Sequence, residues 1–239
     1  MARKEVLFHS DVYTLSYELV NPNLDQTILI LHGWGSNKAI MKQAFAKSFP
    51  NYTHLYLDLP GFGHSTIHDV IDTAAYAQIV ECFLKALHVK PSMIIGHSYG
   101  GKVATLLRPP ILVLLSTAGI VIPKSFKIRT KIALFKLFKP LFPKTFYRFF
   151  ATKDVEGMSD TMYGILKRVV NEDLSDTFAS LKSKTFIFWG KDDQATPLSS
   201  GQKIHDLISK SFFYSMEGDH FFFLKNAPFI EKIILEKMG

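Results

Sequence analysis

The sequence has few cysteines, no long unbroken hydrophobic run and one long segment without acidic residues. Its 239 residues include a single cysteine, Cys82, so no internal disulfide can form and a cysteine-based metal site is not expected. The longest apolar run, Ile111 to Ile122, contains Ser, Thr and Gly and is too short to cross a bilayer. The charged N-terminus is followed by no apolar stretch of signal-peptide length. We therefore expect a cytoplasmic protein without a membrane-spanning segment.

Two further absences concern ligands. The sequence contains no His, Cys and Asp spacing typical of a metal site and no phosphate-binding loop of the Walker type, so we expect neither a metal nor a cofactor.

Hydrophobic residues make up 47% of the chain and charged residues 21%, which is too apolar for a disordered protein. A chain of this length can bury one large core, which favours one domain with an insertion over two domains.

The segment without acidic residues extends from Lys124 to Phe150, where eight Lys or Arg are interleaved with aromatic residues. This basic segment accounts for the net charge of +7, because the remainder of the chain is close to neutral. Three interpretations stay open: solvated helices with their lysines facing water, a docking surface for an acidic carrier protein, or a contact with an anionic membrane. No nucleic-acid-binding motif accompanies it, so we expect no nucleic-acid partner.

Apolar runs alternate with helix-length amphipathic segments along most of the chain. Helical periodicity is clearest around Tyr76, Val80 and Phe83. Several of the apolar runs are unbroken, which is typical of strands in a parallel sheet covered on both faces. The pattern predicts an α/β, doubly wound, mostly parallel sheet. The predicted strands are Tyr13 to Leu19, Thr27 to Leu31, His54 to Leu57, Met93 to Ile95, Ile111 to Leu115, Thr185 to Phe188 and Phe212 to Tyr214.

The alternation stops between Gly119 and Leu181. No strand-like run occurs there, and apolar residues from Met158 to Val170 fall at helical spacing. We therefore predict a core formed by residues 1–118 and 182–239, with residues 119–181 inserted as a helical cap between two strands.

The pentapeptide Gly96-His97-Ser98-Tyr99-Gly100 lies where a predicted strand gives way to a helix. A Gly-x-Ser-x-Gly sequence occurs by chance in roughly one chain in ten of this length, so the pattern alone says little. At a strand-to-helix junction, however, it is typical of a nucleophile elbow, whose glycines allow a strained turn that exposes the serine hydroxyl.

A serine nucleophile needs a general base and a carboxylate that orients the base, in the chain order Ser, acid, His. Two segments that follow predicted strands carry such residues. Asp192 and Asp193 lie between Gly190 and Pro197, and His220 ends the segment after the last strand. Active sites of doubly wound folds lie at these carboxyl ends.

Three motifs in this order resemble the α/β-hydrolase superfamily over nearly the whole chain. They are the oxyanion-loop motif His32-Gly33-Trp34-Gly35, the loop Asp58-Leu59-Pro60-Gly61-Phe62-Gly63-His64-Ser65, and the elbow Gly96 to Gly101. The resemblance implies an α/β-hydrolase fold with a helical cap.

The resemblance also implies a role for each motif residue. Ser98 is expected to be the nucleophile, His220 the general base and then acid, and Asp193 the orienting carboxylate. The backbone N–H groups of Trp34 and Tyr99 are expected to form the oxyanion hole. The family pattern Gly-x-x-Asp, with proline four residues after the acid, favours Asp193 over Asp192.

Other histidines have simpler interpretations. His97 is expected to point away from Ser98 and to be structural, and His32 to shape the oxyanion loop rather than to titrate during catalysis. Neither is predicted to take part in proton transfer.

A serine at the elbow implies acyl transfer to water from an ester or thioester. The motifs look most similar to esterases that demethylate a pimeloyl carrier-protein methyl ester. Two alternatives stay open: a hydrolase that cleaves C–C bonds of 2-hydroxy-6-oxo-dienoate type, and a catalytically silent protein that docks through its basic cap. Either a monomer or a dimer is compatible with the sequence. The residues expected to line an apolar acyl site are Phe126, Phe135, Phe138, Phe142, Met158, Met162 and Phe221.

Overall fold

A computed structural model describes residues 1–121 and 158–238. The strands are β1 (Ala2–Phe8), β2 (Asp11–Val20), β3 (Thr27–Leu31), β4 (Thr53–Leu57), β5 (Met93–His97), β6 (Ile111–Leu115), β7 (Lys184–Gly190) and β8 (Ser211–Met216). The helices, numbered along the described residues, are α1 (Lys38–Phe45), α2 (Thr73–Ala86), α3 (Tyr99–Leu107), α4 (Asp160–Val169), α5 (Ser175–Ala179), α6 (Leu198–Leu207) and α7 (Phe223–Met238).

The eight strands form one sheet in the order β1-β2-β4-β3-β5-β6-β7-β8. β1, β2 and β4 pair antiparallel, and every pair from β4 through β8 is parallel. The register pairs His97 with Leu115 and Leu115 with Phe188. The loops that follow β5, β6 and β7 therefore leave the same edge of the sheet side by side. The prediction of a doubly wound, mostly parallel sheet is confirmed.

The central strands are buried and mostly apolar because helices cover both faces of the sheet. Side chains alternate between the faces, so Ile28 and Ile30 pack with α1 and α7, whereas Leu29 and Leu31 pack with α2 and α3. Every residue of β5 is buried. The loops that follow β5, β6 and β7 are thus attached to strands with a hydrophobic core on each face of the sheet.

Strand β1 was absent from the prediction. Three of the seven residues in its sequence, ARKEVLF, are charged, and only Val6 is buried, because the strand lies at the sheet edge and pairs on one side with β2. The predicted strand ending at Ile95 was also too short, since β5 continues to His97 and leads directly into Ser98.

The predicted division into core and cap remains a prediction. All eight described strands lie within residues 1–118 and 182–239, and the described part of 119–181 contains helices α4 and α5. Met162 and Ile165 of α4 are buried in the core on the α2 and α3 side of the sheet. Phe126, Phe135, Phe138, Phe142 and most of the basic segment lie outside the described residues. In residues 1–121 and 158–238, no helix is both long and apolar enough to cross a bilayer.

Candidate active site

Ser98 lies in the turn between β5 and α3 and has a strained backbone. Its φ of 49° and ψ of −114° are unusual for a residue with a side chain, and such a conformation costs about 1–3 kcal/mol. Backbone hydrogen bonds hold it: the Ser98 N–H donates to the carbonyl of Leu115 at 3.0 Å, and its carbonyl accepts from the N–H of Ala118 at 3.1 Å. The sheet therefore fixes the turn from both sides.

Two glycines allow this turn to pack closely. A Cβ atom on Gly96 would lie 2.6 Å from the carbonyl oxygen of Gly100, within the turn itself. One on Gly100 would lie 2.4 Å from the carbonyl oxygen of His32, in the loop that follows β3. Since real Cβ contacts are longer, neither position tolerates a side chain without displacing backbone. The elbow and the predicted oxyanion loop are in direct contact.

Asp193 lies in the loop after β7 and is surrounded by hydrogen-bond donors. Its Oδ1 accepts from the N–H groups of Ala195, at 2.8 Å, and Thr196, at 2.9 Å. Its Oδ2 accepts from the Thr196 hydroxyl at 2.9 Å and lies 2.8 Å from His220 Nδ1. Burial acts to raise the pKa of this carboxyl, but hydrogen bonds from His220, the Thr196 backbone and Ser116 outweigh burial and lower the pKa to about 2. Asp193 is therefore ionised at neutral pH.

The neighbouring carboxylate is placed differently. Asp192 is exposed, and its N–H donates to the carbonyl of Gly218 at 3.0 Å. The structure thus brings Asp193, and not Asp192, to His220.

His220 lies in the loop after β8, with Nδ1 against Asp193. Its backbone carbonyl lies 3.0 Å from His97 Nε2, and the two imidazole rings are 4.6 Å apart. A Cβ on Gly33 would lie 2.9 Å from His97 Nδ1 and 3.0 Å from Ser98 Cβ, so His97 contacts both the loop after β3 and the His220 loop. Among the described residues no hydrogen bond joins the Ser98 hydroxyl to His220. Catalytic hydrogen bonds commonly tighten only once substrate is bound.

His97, which the sequence predicts to be structural, is packed among aromatic side chains. Its ring packs against Phe221 and Phe223 as well as His220, with centroids 4.7–5.3 Å apart for the two phenylalanines. Burial lowers the pKa of His97 to about 3, helped by the charge of His220. The ring is therefore neutral at pH 7 and packs against the His220 ring.

His32 holds the loop that follows β3. Its Nδ1 lies 2.8 Å from the carbonyl of Gly33, and its Nε2 accepts from the N–H of Leu59 at 3.0 Å, which places the proton on Nδ1. Burial lowers its pKa to about 4. In the same loop the Trp34 ring packs on Phe62 and Tyr99 at 5.0 and 5.3 Å. Trp34 and Tyr99 are therefore neighbours, while the oxyanion role of their N–H groups stays a prediction.

Asp58, the first residue of the Asp58–Ser65 motif, forms a buried ion pair that was not predicted from the sequence. Asp58 Oδ2 lies 2.5 Å from Lys38 Nζ, and Oδ1 accepts from the Lys38 N–H at 2.8 Å. The Lys38 ammonium also donates to the Ser16 hydroxyl at 2.9 Å. The pair ties the start of α1, directly after the oxyanion loop, to the loop after β4.

A second missed feature joins the elbow helix to the segment after α4. Lys102 on α3 is only 2% exposed, and its ammonium donates to the carbonyl of Val169 at 2.7 Å and to Glu172 Oε2 at 3.0 Å. Glu172 also accepts from the N–H of Thr73 at 3.2 Å. Burial lowers the pKa of Lys102, although Glu172 acts against this.

The other predicted site residues are placed as follows. Phe221 is 39% exposed and packs edge-on against the His220 ring, with centroids 5.5 Å apart. Met162 is buried, with its sulfur over Gly61, and Met158 is partly buried. Their contact with substrate stays a prediction.

A cavity of about 780 Å³ lies between α1 and α7, lined by Lys38, Lys42 and Glu231 among others, and does not include Ser98 or His220. Residues 1–121 and 158–238 contain no cluster of three His, Cys, Asp or Glu side chains that could bind a metal.

A serine on a strained strand-to-helix turn, beside a His–Asp pair on the next loops of a doubly wound sheet, defines the class of the α/β hydrolases. Residues 28–231 match the model of the Alpha/beta hydrolase family, and the chain belongs to that family. It is therefore an enzyme of the hydrolase class.

Individual relatives agree with this assignment. An uncharacterized hydrolase of Bacillus subtilis, YugF, is 23% identical over 86% of both chains. The pimeloyl-[acyl-carrier protein] methyl ester esterase of Vibrio vulnificus is 36% identical over 78 residues, 33% of this chain and 29% of that esterase. Among solved structures, a thermophilic esterase from Thermogutta terrifontis has a TM-score of 0.74 at 17% identity, covering 100% of this chain and 98% of that one, which shows a shared fold.

Proposed function

We propose that the protein is a serine hydrolase that cleaves a carboxylic ester or thioester with an apolar acyl group. The observation that carries the proposal is the 2.8 Å contact between His220 Nδ1 and Asp193 Oδ2. Both residues lie in loops at the same edge of the sheet as the strained Ser98. A His–Asp pair of this kind orients an imidazole and stabilises its protonated form.

The reaction divides into acylation and deacylation. The Ser98 oxygen attacks the substrate carbonyl carbon while His220 Nε2 takes the hydroxyl proton. The carbonyl oxygen becomes negatively charged and accepts hydrogen bonds from the N–H groups of Trp34 and Tyr99, the latter at the positive end of α3. His220 then gives its proton to the leaving alcohol or thiol. Water, activated by the same imidazole, releases the acid and restores Ser98.

The surroundings of Ser98 support an apolar acyl group. Trp34, Phe62 and Tyr99 form an aromatic cluster at the elbow, and Phe221 packs edge-on against His220. Aromatic walls with few polar groups are typical of sites that bind apolar ligands.

An activated serine can be tested directly with a fluorophosphonate probe and intact-mass measurement. We expect one adduct on the wild-type protein and none on Ser98→Ala, because only a serine beside a general base reacts. Ser10→Ala, which removes an exposed hydroxyl, should label like wild type. A folded wild-type protein that gained no adduct would contradict the proposal and favour a silent binding protein.

We further propose that the basic segment of residues 124–150 recruits substrates held on an acidic carrier protein. The support is its charge of eight Lys or Arg without acidic residues, together with the match to carrier-protein methyl ester esterases. Opposite charges across an interface raise the association rate at low salt.

Charge reversal of this segment should separate substrate classes. Changing Lys127, Arg129 and Lys131 to Glu should lower kcat/KM at least about tenfold for a carrier-linked ester at low ionic strength, and leave a small soluble ester unaffected. The control reverses three exposed lysines elsewhere, Lys85, Lys90 and Lys210. Equal losses on both substrates, or equal losses in the control, would argue against docking.

A further inference from the structure

The Thr196 hydroxyl occupies the junction between three loops of the site. Its Oγ1 lies 2.9 Å from Asp193 Oδ2, 3.0 Å from the carbonyl oxygen of Ser116 and 3.4 Å from His220 Nδ1. These groups come from the loops after β7, β6 and β8. One hydroxyl therefore touches both members of the His–Asp pair.

The Thr196 backbone is fixed independently of its side chain. Its N–H donates to Asp193 Oδ1 at 2.9 Å, and its carbonyl accepts from the Trp189 indole N–H at 2.7 Å. Trp189 is fully buried in β7. Because both backbone groups are held, the hydroxyl is presented to Asp193 in a defined position, and a change of side chain should leave the loop in place.

The two carboxylate oxygens of Asp193 differ in their donors. Oδ1 has two backbone N–H groups, which no side-chain substitution removes. Oδ2, the oxygen that faces the imidazole, has the Thr196 hydroxyl and His220 within hydrogen-bond distance, and the Ser116 side chain also stabilises the carboxylate. The hydroxyl has one proton to give, and its acceptors are this oxygen and the Ser116 carbonyl.

We propose that Thr196 is a positioning residue: its hydroxyl donates to Asp193 Oδ2, fixes the carboxylate plane and limits the negative charge that the His220 imidazole meets. The interpretation of the kinetic effects rests on the proposed function, but the hydrogen bond itself can be tested without measuring turnover. Without the hydroxyl, Oδ2 would be a stronger acceptor for the imidazole N–H and freer to rotate, so His220 would hold its proton more firmly and be less well aimed.

The test compares Thr196→Val, which keeps the shape and removes the hydroxyl, with Thr196→Ser, which keeps the hydroxyl. We expect Val to lower kcat about tenfold with KM changed less than twofold, and to move the acid limb of kcat/KM upward by about half a pH unit. Serine should restore kcat to within about threefold of wild type and restore the limb. Thr105→Val is the control, because it removes a hydroxyl bonded to the Gly101 carbonyl on α3, away from the pair.

Proton NMR of the His220 Nδ1–H gives a readout that does not need substrate. We expect a downfield resonance in wild type and Thr196→Ser, shifted by more than 0.5 ppm in Thr196→Val. An unchanged resonance and unchanged pH limb in Thr196→Val would overturn the inference, as would equal losses in Val and Ser. If the resonance shifted but wild type hydrolysed no ester and took up no fluorophosphonate, the positioning role would stand and the proposed function would fail.

Discussion

Ser98→Ala should lower kcat/KM by about 10⁴-fold or more, and Ser98→Gly should lower it equally while yielding the more stable protein. Loss of the nucleophile leaves only the binding and oxyanion contributions to the rate. Alanine keeps the strain of a side chain at φ 49°, whereas glycine adopts this conformation freely. We expect Tm of Ser98→Gly to exceed that of Ser98→Ala by about 2–4 °C, which corresponds to about 1 kcal/mol for a protein of this size.

Kinetics and calorimetry on the same preparations check both parts. Residual activity above one tenth of wild type in both variants would place the nucleophile at another residue. A glycine variant that melted below the alanine variant would mean that the turn stores no strain, so that glycine only adds chain entropy to the unfolded state. Ser10→Ala again serves as the neutral reference.

Asp193→Asn should lower kcat by about 10³–10⁴-fold, whereas Asp192→Asn should stay within about threefold of wild type. An asparagine at 193 removes the negative charge that stabilises the protonated imidazole, and its amide can hold the ring in the wrong tautomer. Asp192 is exposed and uses only its backbone in the loop.

The pair should be measured with one small ester at saturating concentration across the pH range. Far-UV circular dichroism on each variant checks that the fold is retained. A larger loss in Asp192→Asn than in Asp193→Asn would overturn the assignment of the acid, and comparable losses in both would mean that the loop, rather than one carboxylate, is being disturbed.

Local patterns predicted the parts of this protein that depend on local chemistry. Runs rich in apolar residues predicted the central strands because burial on both faces of a sheet favours apolar side chains. The family pattern Gly-x-x-Asp favoured Asp193 over Asp192, and the structure brings the same residue to His220. The pattern is local because the Asp193 carboxylate binds backbone N–H groups two and three residues further along its own loop.

Features that depend on residues far apart in the chain could not be predicted from the sequence. Lys102 and Glu172 are 70 positions apart, and each alone is an ordinary charged residue. The Thr196 hydroxyl is significant only because the Ser116 and His220 loops meet beside it. Strand β1 was missed because an edge strand needs little apolar surface, and its one buried residue, Val6, gives no alternating pattern.

The Lys102–Glu172 contact also bears on how the enzyme could be redesigned. Chimeras that exchange the region between β6 and β7 for that of a relative would bring in a new residue at position 172 while keeping Lys102 on α3. Unless the donor segment supplies a carboxylate there, the graft would leave an ammonium buried without a counter-ion, one turn from Ser98. Recombination libraries should therefore inherit these two positions together, or replace Lys102 with methionine in the recipient before the exchange.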